Sequence, residues 1–238
     1  METVDLLWRH RIPAAVRRGR PPKLTTDQVV TAAIKIADRA GLAFTLRDTA
    51  DALRVPVMSL YSYIDSREQL LELMIDQCRT DMAYTEPAGD WRSRLSAVAS
   101  DNLRLLSAHP WMAAVESERA ILGPGTLAKY ERELAAVEPL PLPDTAKDAT
   151  LTLVLDFVRS CARSIDHALR EREQQTPQQW WEHDGAQLAR LGVADRYPLA
   201  SRIGTATGET HGAANDAHAA YTFGLDVILQ GIEATATH

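Results

Sequence analysis

The sequence predicts an all-α protein, and three observations carry that prediction. No stretch alternates apolar and polar residues with the period of two that a half-buried strand shows. Capping signals recur ahead of apolar runs: Thr25 with Gln28, Thr45 with Asp48, and Ser66 with Gln69. After the first of these caps, Val29, Ala33, Ile36, Ala37 and Ala40 return at helical spacing.

Taken in order, the elements fall into three parts. Residues 1–24 hold Pro13, Pro21, Pro22 and several arginines, which predicts a mobile basic arm. Residues 25–70 predict a compact head. Its first helix starts at Thr25 and stops at Gly41, and its second starts at Thr45. Pro56 suits the first turn of a short third helix whose inward stripe is Val57, Leu60 and Ile64, and Ser66 opens a fourth. Residues 71–238 predict a larger helical body. Trp91, Leu95, Val98 and Leu103 or Leu106 share one face of a helix that ends at Pro110. Two shorter helices, Trp111–Ile121 and Thr126–Val137, flank "GPG", and "EPLPLP" reads as a linker. Asp144–Glu173 is a long helix, a turn-rich stretch runs to Gly212, and a last amphipathic helix covers about 213–234.

Composition narrows the function classes. Hydrophobic residues make up 45% of 238, enough for a sizeable core, yet no apolar run approaches the roughly 20 residues a membrane span requires. The first residues lack the pattern of a cleavable leader, so the expected location is the cytoplasm. Cys78 and Cys161 fall inside helices and read as buried thiols of a reducing compartment. The net charge of −6 is unevenly spread: residues 1–23 hold six Lys/Arg against two Asp/Glu, residues 76–238 hold 15 against 23. Basicity kept at one end of an acidic chain fits contact with a polyanion through that end.

Three helices, the second and third joined by a few residues, describe a helix-turn-helix, although such hairpins also occur as plain packing units. The third helix favours the former. With Val57, Leu60 and Ile64 inward, it turns Met58, Ser59, Tyr61, Ser62 and Tyr63 outward, where a solvated face would carry Glu and Lys. Hydroxyls suit phosphates, and apolar groups suit thymine methyls. Gly41, Thr45, Arg47, Ala50, Leu53 and Val55, followed by the run Ser59 to Leu70, resemble the tetracycline-repressor (TetR) family of transcriptional regulators. The resemblance implies a DNA-binding head on a helical body that binds a small molecule and dimerises on a palindromic operator. It implies Thr45 and Arg47 at the DNA from the start of the second helix, Met58 and Ser59 near bases, Tyr61 and Tyr63 at phosphates, and Arg67 anchoring a phosphate. Where the family commonly has glycine in the turn this chain has Arg54, and a left-handed backbone there costs about 1 kcal/mol.

The arm adds a separate expectation. Arg18-Gly19-Arg20-Pro21 resembles an AT-hook core, whose arginines enter a narrow minor groove; the alternative is an arm that only neutralises phosphates. Both put Arg18, Arg20 and Lys23 at DNA. In the body, Leu151, Val154, Leu155 and Val158 of the long helix, with Phe223, Gly224, Val227, Ile228 and Gly231 of the last, are the expected dimer interface of a four-helix bundle. A hydrophobic or aromatic effector is expected against His109, Trp111, Asp156, Arg159 and Trp180, with Trp181 beside the last. The seven histidines form no spaced metal cluster, and no metal or cofactor is expected. Two rival readings are an enzyme built on Asp156, His109 and the Asp166–His167 pair, which no nucleophile or phosphate-loop motif accompanies, and an architectural binder of A·T-rich DNA acting through the arm.

Overall fold

The computed structural model describes residues 2–11, 24–115 and 119–236, which among them hold helices, turns and no strand. A short helix α1 (Thr3–Leu7) comes first and is docked on the head: Leu6 and Leu7 are buried in its core. Polar ties hold it there. Gln69 donates to the Thr3 hydroxyl at 3.2 Å, Trp8 Nε1 to the Leu122 carbonyl at 2.8 Å, and Arg9 to Asp27 at 2.6 and 2.8 Å. Burial alone would raise the Asp27 pKa, but the hydrogen bond and charge of Arg9 hold it below the ordinary carboxylate value. The expected mobile arm is therefore corrected for residues 2–11: one Leu-Leu pair suffices to pin them. Arg18, Arg20 and Lys23 lie outside the described residues.

The head follows its capping signals. Helix α2 (Thr26–Ala40) begins with the full Thr25–Gln28 box, and α3 (Leu46–Leu53) with the full Thr45–Asp48 box. Helix α3 ends in a Schellman motif: Val55 N donates to Ala50 O at 3.0 Å and Arg54 N to Asp51 O at 3.1 Å. That motif needs a left-handed residue, and Arg54 supplies it at φ 56, ψ 44. It is the one non-glycine residue with positive φ among those described, so the departure from glycine is accommodated with strain. Val57–Ser62 is a 3-10 helix rather than an α-helix, closed by Ser59 N to Pro56 O at 2.9 Å and Tyr63 N to Leu60 O at 2.8 Å. Helix α4 (Arg67–Thr80) is capped by Ser66, while the Gln69 side chain reaches one residue further, to Asp65 N at 2.8 Å.

The expected boundary after residue 70 falls inside α4, which serves both parts. Leu70, Leu73 and Met74 belong to the head core, and that core continues into Leu105, Trp111 and Met112 of α5 (Trp91–Ala108) and α6 (Pro110–Ala113). The helix expected over Trp111–Ile121 is far shorter than predicted. Helix α7 (Pro124–Val137) then packs on α4 with almost no gap. It has no capping side chain of its own; Asp76 of α4 supplies one, accepting from Gly125 N at 3.2 Å and Thr126 N at 2.7 Å. A Cβ on Gly125 would lie 2.3 Å from the Asp76 carbonyl oxygen, so "GPG" is a requirement of this crossing.

Helix α8 (Asp144–Gln174) runs the length of the body. Its buried stripe of Leu151, Val154 and Val158 faces α5 and α13 (below) in a second core with Leu95, Ala99 and Val137. Three short α-helices, α9 (Pro177–Trp180), α10 (Ala186–Arg190) and α11 (Val193–Arg196), the first two joined by a π-helical turn over Trp181–Gly185, lead to α12 (Pro198–His211). The stretch expected to be turn-rich thus contains a 14-residue helix. It leaves Leu191, Tyr197, Leu199 and Ile203 exposed. Helix α13 (Ala217–Ala236) closes the body through Leu225, Leu229 and Ile232. Both cysteines are free and buried, and burial, aided by the Asp38 and Asp81 charges, pushes the Cys78 thiol up to about 12.

Candidate nucleic-acid interface and internal cavity

The 3-10 helix sorts its side chains as its spacing demands. Leu60 and Ile64 are sealed in the head, whereas Met58 is 75% exposed, Tyr61 46% exposed, and Ser62 open to solvent. Ser59 is half-buried. Tyr63 is half-buried as well and packs its ring on the head core. Arg47 and Arg54 are exposed on α3 and its turn, so two guanidinium groups precede Met58 and Tyr61 in sequence. Thr45 is exposed, with its hydroxyl engaged by Asp48 at 2.7 Å. Exposed cations, an aromatic hydroxyl and a flexible thioether on this helix-turn-helix make a set suited to phosphates and base edges.

Arg67 does not join that face. Its Nε donates to Phe44 O at 3.1 Å and its Nη2 to Leu42 O, and its guanidinium lies 4.5 Å from the centre of the Phe44 ring. The group expected on a phosphate is thus turned inward, tying α4 to the turn before α3. Arg67→Ala is expected to lower stability by about 2–3 kcal/mol. Denaturant unfolding checks the first quantity. The salt slope of DNA affinity, corrected for folded protein, is expected to stay unchanged, and a slope reduced by about one would restore the phosphate contact.

His109 and Trp111 are corrected too. His109 Nδ1 meets Asp38 Oδ1 at 2.7 Å, and Trp111 Nε1 donates to the same oxygen at 2.8 Å. Trp111 is buried with the head core. Both residues therefore form the joint between α2 and the α5–α6 corner, not a ligand pocket. Asp156 is exposed, and Trp180 lines a separate shallow cleft with Arg172 and Asn215. Trp180 lies 21 residues beyond Arg159, of which 15 are α8, about 22 Å of helix, so the two do not share one cavity.

Arg159 alone of the five lines a partly open cavity of about 280 Å³ bounded by α4, α5, α6, α7 and α8. Its apolar wall includes Leu105, Leu106, Met112 and Leu155, and its polar wall includes Arg79, Asn102, Lys129 and Arg159. Sequence reasoning missed Arg79 and Lys129. Lys129 is only 8% exposed and pairs with Glu133 at 2.6 Å, and Glu133 also accepts from Asn102 at 2.5 Å. In sequence the Lys129–Glu133 spacing of four is that of an ordinary solvated pair, so no signal set it apart. Among the described residues no group of three or more His, Cys, Asp and Glu is placed to hold a metal, and no helix is long and apolar enough to cross a membrane.

The dimer expectation is corrected in part. Leu151, Val154 and Val158 are enclosed in the body's own core, and Leu155 faces the cavity, so none is available to a partner. A Cβ on Gly224 would meet the Phe157 ring at 2.5 Å, so that glycine serves a close crossing within the chain. Phe223, 74% exposed, Val227 and Gly231 do face outward, and Ile228 is half-buried.

Comparison with known proteins agrees with this architecture. Residues 85–236 match the family described as tetracyclin repressor-like, C-terminal domain. A transcriptional repressor of Streptomyces coeruleorubidus, DrrR1, is 33% identical over 237 residues, covering 97% of this chain and 84% of that protein. The TetR family protein ActR of Streptomyces coelicolor, solved with (S)-DNPA, superposes with a TM-score of 0.69 at 25% identity, covering 90% of this chain and 99% of ActR. Its apo form gives the same TM-score at 24% identity, covering 91% and 100%. With the two-part helical fold, the exposed 3-10 face and these relatives together, the chain belongs to the TetR family of transcriptional regulators.

Proposed function

We propose that this protein is a ligand-responsive repressor that binds a palindromic operator as a homodimer and is released by a small-molecule effector. One observation carries the reading: α4 is at once a wall of the cavity, through Ile75 and Arg79, and a core element of the head, through Leu70, Leu73 and Met74. A ligand that shifts α4 moves the DNA-reading face with it, which makes occupancy and operator affinity two ends of one equilibrium. Similar regulators support it: DrrR1 is named a repressor, and ActR has been solved with (S)-DNPA and with actinorhodin.

In a two-fold dimer the heads read half-sites about 34–36 Å apart. Met58 and Ser59 approach base edges, while Arg47, Tyr61 and Tyr63 hold phosphates, and Arg18, Arg20 and Lys23 of the arm add electrostatic affinity. Arg54, exposed at the turn, joins the phosphate contacts. No reaction is assigned to the body, whose family is one of regulators.

A gel-shift titration at several salt concentrations tests the reading. The expected result is preference for one palindrome over random DNA by about 10³-fold or more. Met58→Ala and Ser59→Ala are expected to change the ranking of single-base operator variants, and Arg47→Ala to weaken all of them alike. Equal affinity for every A·T-rich fragment would overturn the repressor reading in favour of an architectural binder.

A further inference from the structure

Among the described residues, the cavity wall carries more positive charge than its paired carboxylates neutralise. Of the carboxylates packed near it, Asp76 spends both oxygens on the amides of α7 and the Thr126 hydroxyl. Glu133 spends one oxygen on Lys129 and the other on Asn102. Lys129 is thereby balanced. Among the described residues Arg79 and Arg159 have no carboxylate hydrogen-bonded to them: the Arg79 side chain donates to the Thr126 hydroxyl, at 3.0 Å, and its Nε is sealed from solvent with no acceptor. Arg159 makes no hydrogen bond or ion pair among the described residues. Arg119 also lines the cavity and already has a partner.

Burying cations in this way is costly unless something compensates. The strain registers on the groups themselves. Burial pushes both the Arg79 guanidinium and the Lys129 ammonium below their ordinary pKa values, and the nearby Arg159 charge pushes the same way, against the pull of Glu133 and, for Arg79, of Asp76. Arg79 stays charged, because a guanidinium does not deprotonate in a protein. The rest of the wall is largely apolar, with Leu105, Leu106, Met112 and Ile121.

Accepting that the cavity is the effector site, we infer that its ligand is an organic acid: a compact apolar body against α5 and α6, with a carboxylate or equivalent anion received by Arg79 and Arg159. A planar oxyanion matches the fork of a guanidinium. The cavity of about 280 Å³ sets the scale, near the lower end of small-molecule pockets.

Matched acid and amide probes test the inference by titration calorimetry on the full chain. Benzoate is compared with benzamide, and naphthoate with naphthamide. At least one acid is expected to bind about ten- to a hundredfold more tightly than its amide. Arg159→Gln removes a cation carried by α8, outside the contacts that hold α4 to α7, and it is expected to abolish most of that ratio, with Arg159→Lys restoring part of it. Thermal melting confirms that each variant is folded. Equal affinity for acid and amide, an unchanged ratio in Arg159→Gln, or no binding of either acid would each overturn the inference. The operator titration is separate. Acid preference without operator binding would sink the repressor reading and leave the cavity chemistry standing; operator binding without acid preference would do the reverse.

Discussion

Gly125→Ala is expected to destabilise the protein by about 3 kcal/mol, the upper end for adding one methyl group to a packed interior. The added Cβ would lie 2.3 Å from the Asp76 carbonyl oxygen and 2.9 Å from the Thr80 amide nitrogen. Both are backbone atoms of α4, so no rotamer change relieves the clash. The two helices must separate, and separation also removes the Asp76 carboxylate from the amides of Gly125 and Thr126. Those amides then lack an acceptor in a largely dry crossing, which costs about 1–3 kcal/mol for each one left unpaired. Asp76→Ala is expected to reach a similar loss by the second route alone. Gly204→Ala is the control: it lies within α12, nothing is within 4 Å of its added Cβ, and helix propensity predicts a gain of up to about 1 kcal/mol. Denaturant unfolding of the three variants reads the opposite signs directly. A Gly125→Ala protein with the midpoint of the parent would mean that α4 and α7 do not approach as described, and the cavity between them would lose its geometry as well.

That crossing also marks where sequence reasoning stops. Caps and stripes are local, so the starts of α2, α3 and α4 and the inward set Val57, Leu60 and Ile64 were legible residue by residue. The left-handed turn at Arg54 was legible only through the family resemblance, in which glycine commonly stands at that position. Contacts made across long separations were not. Asp38 reads as a solvated helix residue until His109 and Trp111, more than 70 positions later, close on it. Asp76 reads as a surface acid until "GPG" arrives from the other side of α5. Helix α8 misled in a different way. It is apolar on two faces, and the stripe with the larger side chains, Leu151, Val154 and Val158, belongs to the chain's own core. The face left over is built of Ala146, Ala149, Thr150 and Leu153, too small and mixed to stand out.

That second face makes the dimer testable. It joins α13 along a shallow groove of about 470 Å³ lined also by Ile228, Gly231 and Thr235, with Leu153, Phe223 and Val227 standing exposed at it or beside it. Small residues let helices of a second copy approach closely, and the exposed large ones supply the area, which is the packing of an interhelical bundle. Leu153→Glu combined with Val227→Glu places two carboxylates in that contact in each copy, four in a symmetric dimer, where burial without cationic partners is prohibitive. The expected product is a folded monomer, because both side chains are about half exposed in the single chain and contribute little to its core. Sedimentation velocity reads the dissociation. Operator affinity is expected to fall by about 10²-fold or more, since two heads no longer bind as one unit. Leu188→Glu provides the comparison: Leu188 is just as exposed but lies in α10, outside this face, and its variant is expected to remain dimeric. If instead the double variant sedimented as a dimer while Leu188→Glu dissociated, the copies would meet through the α9–α12 stretch. The spacing of the two heads would then have to be derived from that geometry.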